Sequence, residues 1–434
     1  MVNEAIKNTQ LIEAKAIRKV KVRILPYILV LYIVAFLDRI NIGFAALTMN
    51  KELGIAPQQF GLVFGIFLIS YAACEIPSNL LLHKIGARIW LARILITWGA
   101  IAALTGFVQS LNQLYMARFL LGLAEGGYFP GILLYLTYWF RQRDQAQALS
   151  FFLMGIPITN IAGAPLSGLI LDHIHWFGLS SWRWLLILEG IPAIVCGVLT
   201  YYLLPSRPAE ARFLTAEEKG GITAQLKEEE HTKRGIHSLS ATRALVHPRV
   251  WHLACIAFAL GTVLYIVSAW LPQMVKSFSA SYSNSIIGLL VMVPNVVGLL
   301  FMVVISRNSD RLQERRWHTA IPAVVGGIAC LCFGLHHSVL LSIILLSLLH
   351  IGVYGAAAPF WALPNEFLAG FSAASGIALI ATIATVGGFF GSYAVGFIGQ
   401  KTGSLFGGVT LAGVALLVLA LLVLLLPPRR VSPK

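Results

Sequence analysis

The sequence predicts an all-α membrane protein of twelve transmembrane helices, arranged as two pseudo-symmetric six-helix bundles. Three observations carry this prediction: an apolar composition, twelve apolar runs of spanning length, and features that recur six runs apart. Of the 434 residues, 58% are hydrophobic and 12% charged, roughly half the charged share of an ordinary soluble domain, and mean hydropathy is +0.79. That composition excludes a soluble globular fold. Cys74, Cys196, Cys255, Cys330 and Cys332 all lie in apolar stretches, without the spacing of a disulfide framework or a zinc site.

A bilayer core about 30 Å thick requires about 20 apolar residues at the helical rise. Residues 1–23 are polar, carry Arg18, Lys19, Lys21 and Arg23, and lack a small-residue cleavage site, so they read as a retained cytoplasmic tail. Runs follow at about 24–48, 60–82, 89–108, 112–138, 146–171 and 183–204, which make an N-terminal bundle over 24–205. Residues 206–249 are rich in Glu, Lys and Arg, including Glu217, Glu218, Lys219 and Lys227, and read as a solvated cytoplasmic linker or surface helix. Six further runs, at about 250–275, 283–305, 318–335, 338–361, 370–396 and 404–426, make the C-terminal bundle over 250–426. Residues 427–434 form a cytoplasmic tail.

The net charge of +14 is explained by topology. With the N-terminus cytoplasmic, 25 of the 32 Lys and Arg residues fall in inside segments, 4 fall outside and 3 lie within runs, as the positive-inside rule requires. Both termini are then cytoplasmic, and the basic excess calls for no nucleic-acid partner. The basic turn after the second run, His83 to Arg88, has its counterpart six runs later at Ser309 to Arg316. Gly163-Ala164-Pro165 through Gly168 in the fifth run is loosely echoed by Gly387, Gly388, Gly391 and Gly396 in the eleventh. Small residues let helices approach closely, and duplicated halves with a site at their interface form a transporter architecture.

Ionised side chains within spans cost several kcal/mol, so each requires a partner or a wet cavity. Asp38 and Arg39 lie in the first run, Glu75 in the second, Arg93 in the third, and Arg118 and Glu125 in the fourth. Arg118 and Glu125 are seven residues apart, on one helical face and roughly 10 Å apart along the axis. The first and fourth runs cross in opposite directions, which brings Asp38 and Arg39 to the same depth. Two arginines and two carboxylates can therefore share one cavity, and protonating Asp38 or Glu125 leaves the guanidinium groups free to hold an anion. The competing reading is a set of static salt bridges between the two helices. Glu75, next to Pro77, and Arg93 read as structural. Tyr265 and Asn295 lie well inside the seventh and eighth runs, where they either touch substrate or pack.

The stretches Phe36-Leu37-Asp38-Arg39-Ile40-Asn41, Glu75-Ile76-Pro77-Ser78-Asn79, Arg118 through Gly126, Trp182-Arg183-Trp184, Trp270-Leu271-Pro272-Gln273 and Ser309-Asp310-Arg311 through Trp317 together match a known family. The chain resembles the major facilitator superfamily along nearly its whole length, and within it the anion:cation symporter family of bacterial tartrate, phthalate and sugar-acid permeases. The resemblance implies the major facilitator fold, substrate binding at Arg39 and Arg118, and proton coupling at Asp38 and Glu125. It also implies gating at the basic turns, on Lys84, Gly86, Arg88, Asp310, Arg311, Arg315 and Arg316. The N-terminal copy of the gating signature is degenerate, with His83 where an acid stands in relatives, so closure is expected to lean on the second copy. In the eleventh run Ala381, Thr382, Ala384 and Thr385 replace amides, which implies a ligand less polyhydroxylated than a sugar acid.

The expected function is proton-coupled uptake of a small organic carboxylate by alternating access, with the proton gradient as driving force and no cofactor. The expected partners are the organic anion, protons and the lipid bilayer, and the protein is expected to be a monomer in a bacterial-type inner membrane. The alternatives are an anion exchanger, a sodium-coupled carrier, and a transport-dead sensor, which would have lost the acid at Glu125. No nucleophile with its base and no metal cluster at helical spacing is legible, so no enzyme is expected.

Overall fold

The structure is a computed structural model that describes residues 2–235, 246–279, 281–335, 338–367 and 370–427. Its regular elements among the described residues are helical. In order they are α1 (Val2–Glu52), α2 (Pro57–Ile85), α3 (Ala87–Thr105), α4 (Leu111–Glu125), α5 (Tyr128–Thr137), α6 (Gln142–Leu153), α7 (Gly155–His173) and α8 (Ser181–Leu203). There follow α9 (Ala216–Gly235), α10 (Pro248–Lys276), α11 (Asn284–Leu312), α12 (Arg316–Cys332), α13 (Val339–Phe367), α14 (Gly370–Thr402) and α15 (Phe406–Leu424). Among the described residues eleven spans, one of them α4 and α5 taken together, are long and apolar enough to cross a bilayer. The run expected at 318–335 forms α12, a helix of 17 residues followed by a 3-10 turn at Phe333–Leu335. The residues expected as an N-terminal tail are helical from Val2 onward and continuous with the first span.

Glycines break one expected span. The fourth run is divided by Gly126 and Gly127, and Gly127 adopts φ 88°, a left-handed conformation that favours glycine. A Cβ on Gly127 would lie 2.3 Å from Ser78 Oγ, and one on Gly126 would lie 2.7 Å from Cys74 Cβ, so the break is also where this backbone meets α2. Prolines at 77, 165, 192, 272, 294 and 322 lie inside helices, as membrane helices tolerate when neighbours satisfy the freed carbonyls.

The chain divides into two compact units. The first comprises Met1–Arg39, Ser70–Thr159 and Leu185–His237. Its interior holds Trp98, Tyr128, Tyr135, Trp139 and Phe152, all fully buried. The polar end of the chain is tied down here. Lys19 Nζ donates to both oxygens of Glu218 at 2.7 and 2.9 Å, and Lys21 pairs with Asp144 at 3.2 Å. Phe213 stacks on Trp139, and the Arg23 guanidinium lies over the Phe213 ring. The linker that the sequence marks as solvated is therefore anchored at its start, and α9 is its surface helix.

The second unit comprises Ile40–Ile69, Asn160–Trp184 and Ser238–Lys434. In it the small residues of the echoed stretches set the helix spacing. Cβ atoms on Gly168 and Gly288 would lie 2.4 Å from the carbonyl oxygens of Asn284 and Ala164, so α7 and α11 touch backbone to backbone. Gly61 meets Ser392, and Gly396 meets Pro57, which does the same for α2 and α14. Asp172, near the end of α7, accepts from the Asn284 and Ser285 amides at 3.0 and 2.7 Å and so caps the start of α11. Glu52 closes α1 onto α8 by accepting from Trp182 Nε1 at 2.7 Å and from Arg183 at 3.0 Å.

Candidate functional site: a buried charge cluster

Consecutive residues of a helix point about 100° apart, and α1 uses that divergence. Asp38 faces α3, where its Oδ2 accepts from the Trp98 indole N–H at 2.9 Å, while Arg39 faces α2 and α4. Arg39 donates to Glu125 Oε1 from Nε at 2.9 Å and from Nη2 at 2.5 Å, and its guanidinium lies 4.8 Å from the centre of the Tyr71 ring. Arg118, two turns before Glu125 on the same face of α4, lies within electrostatic range of Asp38, Glu125 and Arg39. Asp38, Arg118 and Glu125 are 3%, 2% and 0% exposed. The four charges expected from the sequence are thus brought together within the first unit.

Two members of this site, Trp98 and Tyr71, were not legible in the sequence, and a third, Glu75, was read there only as structural. Trp98 holds Asp38 through its only polar atom, and Tyr71 covers Arg39. Glu75, expected to serve the backbone before Pro77, lies within electrostatic range of Arg39. It stands one helical turn after Tyr71, so the i, i+4 spacing of Tyr71 and Glu75 was the available signal. Arg93 matches its structural reading, since its guanidinium lies 3.9 Å from the centre of the Trp90 ring. The cluster therefore has three carboxylates against two guanidinium groups. Glu125 Oε2 is buried without a hydrogen-bond partner among the described residues. A proton on that oxygen, or a rearrangement of Arg39, would relieve a buried acceptor that costs about 1–3 kcal/mol to leave unmade.

Tyr265 and Asn295 belong to the second unit. Tyr265 packs on Gly388, where a Cβ would lie 2.2 Å from its ring, and meets Phe64 edge-on. Asn295 is buried and engaged at both ends: its Nδ2 donates to the Val291 carbonyl and its Oδ1 accepts from Tyr354 O–H, each at 2.9 Å. Asn160 Nδ2 in turn donates to the Tyr354 hydroxyl oxygen at 3.3 Å. This links α7, α13 and α11 by a polar chain that the sequence did not disclose. His350, one turn before Tyr354, meets its ring edge-on, and its Nε2 is buried without a partner among the described residues.

The turn residues separate into two local networks. Arg88 reaches the linker, donating from Nε to the Leu204 carbonyl at 2.8 Å and from Nη2 to Glu210 at 3.2 Å, and Gly86 makes the turn with φ 98°. In the second copy Asp310 pairs with Arg315 at 2.6 Å, Arg315 also donates to Ser309 Oγ, and Arg316 donates to the Leu424 carbonyl. Arg311 and Lys84 are exposed. Among the described residues no group of three or more His, Cys, Asp or Glu side chains is placed to hold a metal ion.

Comparison with known proteins follows the same outline. The family description of the Major Facilitator Superfamily matches residues 28–392. The chain is 41% identical over 428 residues to a protein of Agrobacterium vitis named "Putative tartrate transporter", covering 98% of this chain and 93% of that one. It is 36% identical over 389 residues to a Pseudomonas putida protein named "Putative metabolite transport protein NicT", covering 89% and 88%. Among solved structures, the inward-open xylose transporter XylE from E. coli superposes with a TM-score of 0.74 at 14% identity, covering 94% of this chain and 97% of that one. At that identity the likeness is one of fold.

Proposed function

The chain belongs to the major facilitator superfamily, a family of transporters rather than enzymes, and on that premise we propose that it takes up a small organic carboxylate together with protons by alternating access. The observation that carries this reading is the Arg39–Glu125 pair inside a cluster of three acids and two arginines, of which Asp38, Arg118 and Glu125 are buried. An arriving carboxylate adds a further negative charge to a site already short of cations. Its entry is balanced when an acid takes up a proton, and the acid whose protonation frees a guanidinium is Glu125. Arg39, which donates twice to the single oxygen Oε1 of Glu125, then exchanges that oxygen for the carboxylate of the substrate, which its fork can hold bidentately.

In the proposed cycle, protonation of Glu125 and Asp38 from outside releases Arg39 and Arg118 to the anion. The two six-helix bundles, 24–205 and 250–426, then rock. Loss of the protons to the higher internal pH re-forms the acid–arginine pairs and expels the anion. The 17-residue helix α12, extended by its 3-10 turn, serves as the twelfth span. Both termini lie in the cytoplasm of a bacterial inner membrane, the protein acts as a monomer, and no cofactor enters the cycle. Contacts at the turns carrying Asp310, Arg311, Arg315 and Arg316 and carrying Lys84, Gly86 and Arg88 are exchanged as the bundles rock. A carboxylate substrate is supported by the arginines and by the names of the relatives in Agrobacterium vitis.

The test is uptake of labelled tartrate, aldonates, phthalate and hydroxyphenylacetate into proteoliposomes with and without a pH gradient, acid outside. Accumulation of one of them against its gradient, lost in Arg118→Ala, is the expected result. Normal transport by Arg118→Ala would overturn the anion site, and counterflow indifferent to pH would make the protein an exchanger.

A further inference from the structure

The first unit contains a polar cavity of about 430 Å³, apart from the charge cluster, at the turn between α2 and α3 where the linker begins. Four basic residues line it: His83, Lys84, Arg88 and Arg207. Its one acid, Glu210, is already engaged, since its Oε2 accepts from Arg88 Nη2 at 3.2 Å and from the Ser206 amide at 3.1 Å. Arg88 is in turn held by the Leu204 carbonyl and Glu210, and its own amide donates to Ser206 Oγ at 3.2 Å. The Arg207 guanidinium lies over the Tyr138 ring, 4.6 Å from its centre, and pairs with no carboxylate among the described residues. Lys84 and His83 make no hydrogen bond or ion pair among the described residues. The cavity therefore holds two full positive charges, on Lys84 and Arg207, that no acid among the described residues pairs with.

Its place between two spans says what reaches it. α2 ends at Ile85 and α3 begins at Ala87, and both are long and apolar enough to cross a bilayer, so the turn joins them at one membrane face. Ile85 and Ile89, which also line the cavity, are 42% and 50% exposed. A charged cleft with an apolar rim between two spans suits an amphiphile better than a free ion. We infer that this cleft binds the headgroup of an anionic phospholipid, with the phosphate held between Lys84 and Arg207 and the acyl chains lying along Ile85 and Ile89. The site is distinct from the charge cluster and does not depend on the transported substrate.

Native mass spectrometry of the full chain, released from micelles containing equal amounts of phosphatidylglycerol and phosphatidylcholine with the same acyl chains, tests this. A basic residue near an anionic membrane surface contributes roughly a five-fold preference, so K84A/R207A should lower the ratio of retained phosphatidylglycerol to phosphatidylcholine by about ten-fold or more. Both side chains are exposed, so the variant folds as the wild type does, and thermal unfolding checks it. K84R/R207K should keep the wild-type ratio, as should K51A, which removes an exposed cation elsewhere. An equal ratio in wild type and K84A/R207A, or an equal loss in K51A, would overturn the assignment. Displacement of the retained lipid by millimolar inorganic phosphate would instead identify a free-phosphate site and overturn the lipid reading.

Discussion

Glu125→Gln removes the charge to which Arg39 donates two hydrogen bonds while keeping the size of the side chain. In the proposed cycle this substitution imitates the protonated site. A hydrogen bond to a charged group is worth about 1.5–3 kcal/mol, and the incoming anion competes for the same guanidinium. Removing the competitor should raise anion affinity by about 10- to 100-fold over the wild type at alkaline pH. At acidic pH the two proteins should converge, because the wild-type acid is then neutral. Calorimetric titration with the substrate identified by the uptake panel, at mildly acid and mildly alkaline pH, reads both effects. Binding by the variant no tighter than wild type at alkaline pH, or with the wild-type pH dependence intact, would refute the reasoning. It would leave Arg39–Glu125 as a static lock between α1 and α4.

Other perturbations follow from the geometry. Trp98→Phe leaves Asp38 Oδ2 without its indole donor, so thermal stability should fall by an amount equivalent to about 1–3 kcal/mol and the pH profile of transport should shift; an unmoved profile would make Trp98 only a packing residue. Gly168→Val places carbon where even a Cβ would lie 2.4 Å from the Asn284 carbonyl, at a cost of about 1–3 kcal/mol for overpacking. Transport should fail, and a cysteine placed at Ser285 should label faster; unchanged labelling would contradict the close contact. The Glu218 carboxyl is held below its ordinary 4.5 by the Lys19 ammonium and the Thr215 amide. A depressed value means that this contribution is present above pH 4.5 and lost as pH falls through the folded-state value. Cleavage within 216–235 by an acid-tolerant protease should therefore be slower in wild type than in Glu218→Gln above that range and equal to it below.

Much of the site was legible because intramembrane charge is so costly that its presence is itself a signal. Arg118 and Glu125 could be placed on one face from their spacing, and Asp38 and Arg39 at the same depth from helix direction. What supports them was hidden. Trp98 looks like any aromatic residue of a span, and only tertiary structure brings its N–H to Asp38. Glu75 was read from Pro77 alone, a local feature, whereas its proximity to Arg39 crosses between helices. The apolar runs marked the helices well but not their internal breaks. Gly126 and Gly127 interrupt the fourth run because α2 packs there, a cause outside the run itself. The glycines of the echoed stretches announced close packing without naming partners, since Gly168 could have met any smooth helix face and meets α11.

The central claim is that anion and proton move together through the charge cluster. The most direct measurement uses proteoliposomes loaded with a pH-sensitive dye, without an imposed gradient and with the membrane potential clamped, to which the identified carboxylate is added outside. The account predicts internal acidification that follows anion entry in wild type, and anion exchange without acidification in Glu125→Gln. Anion entry in wild type with no movement of protons would contradict it.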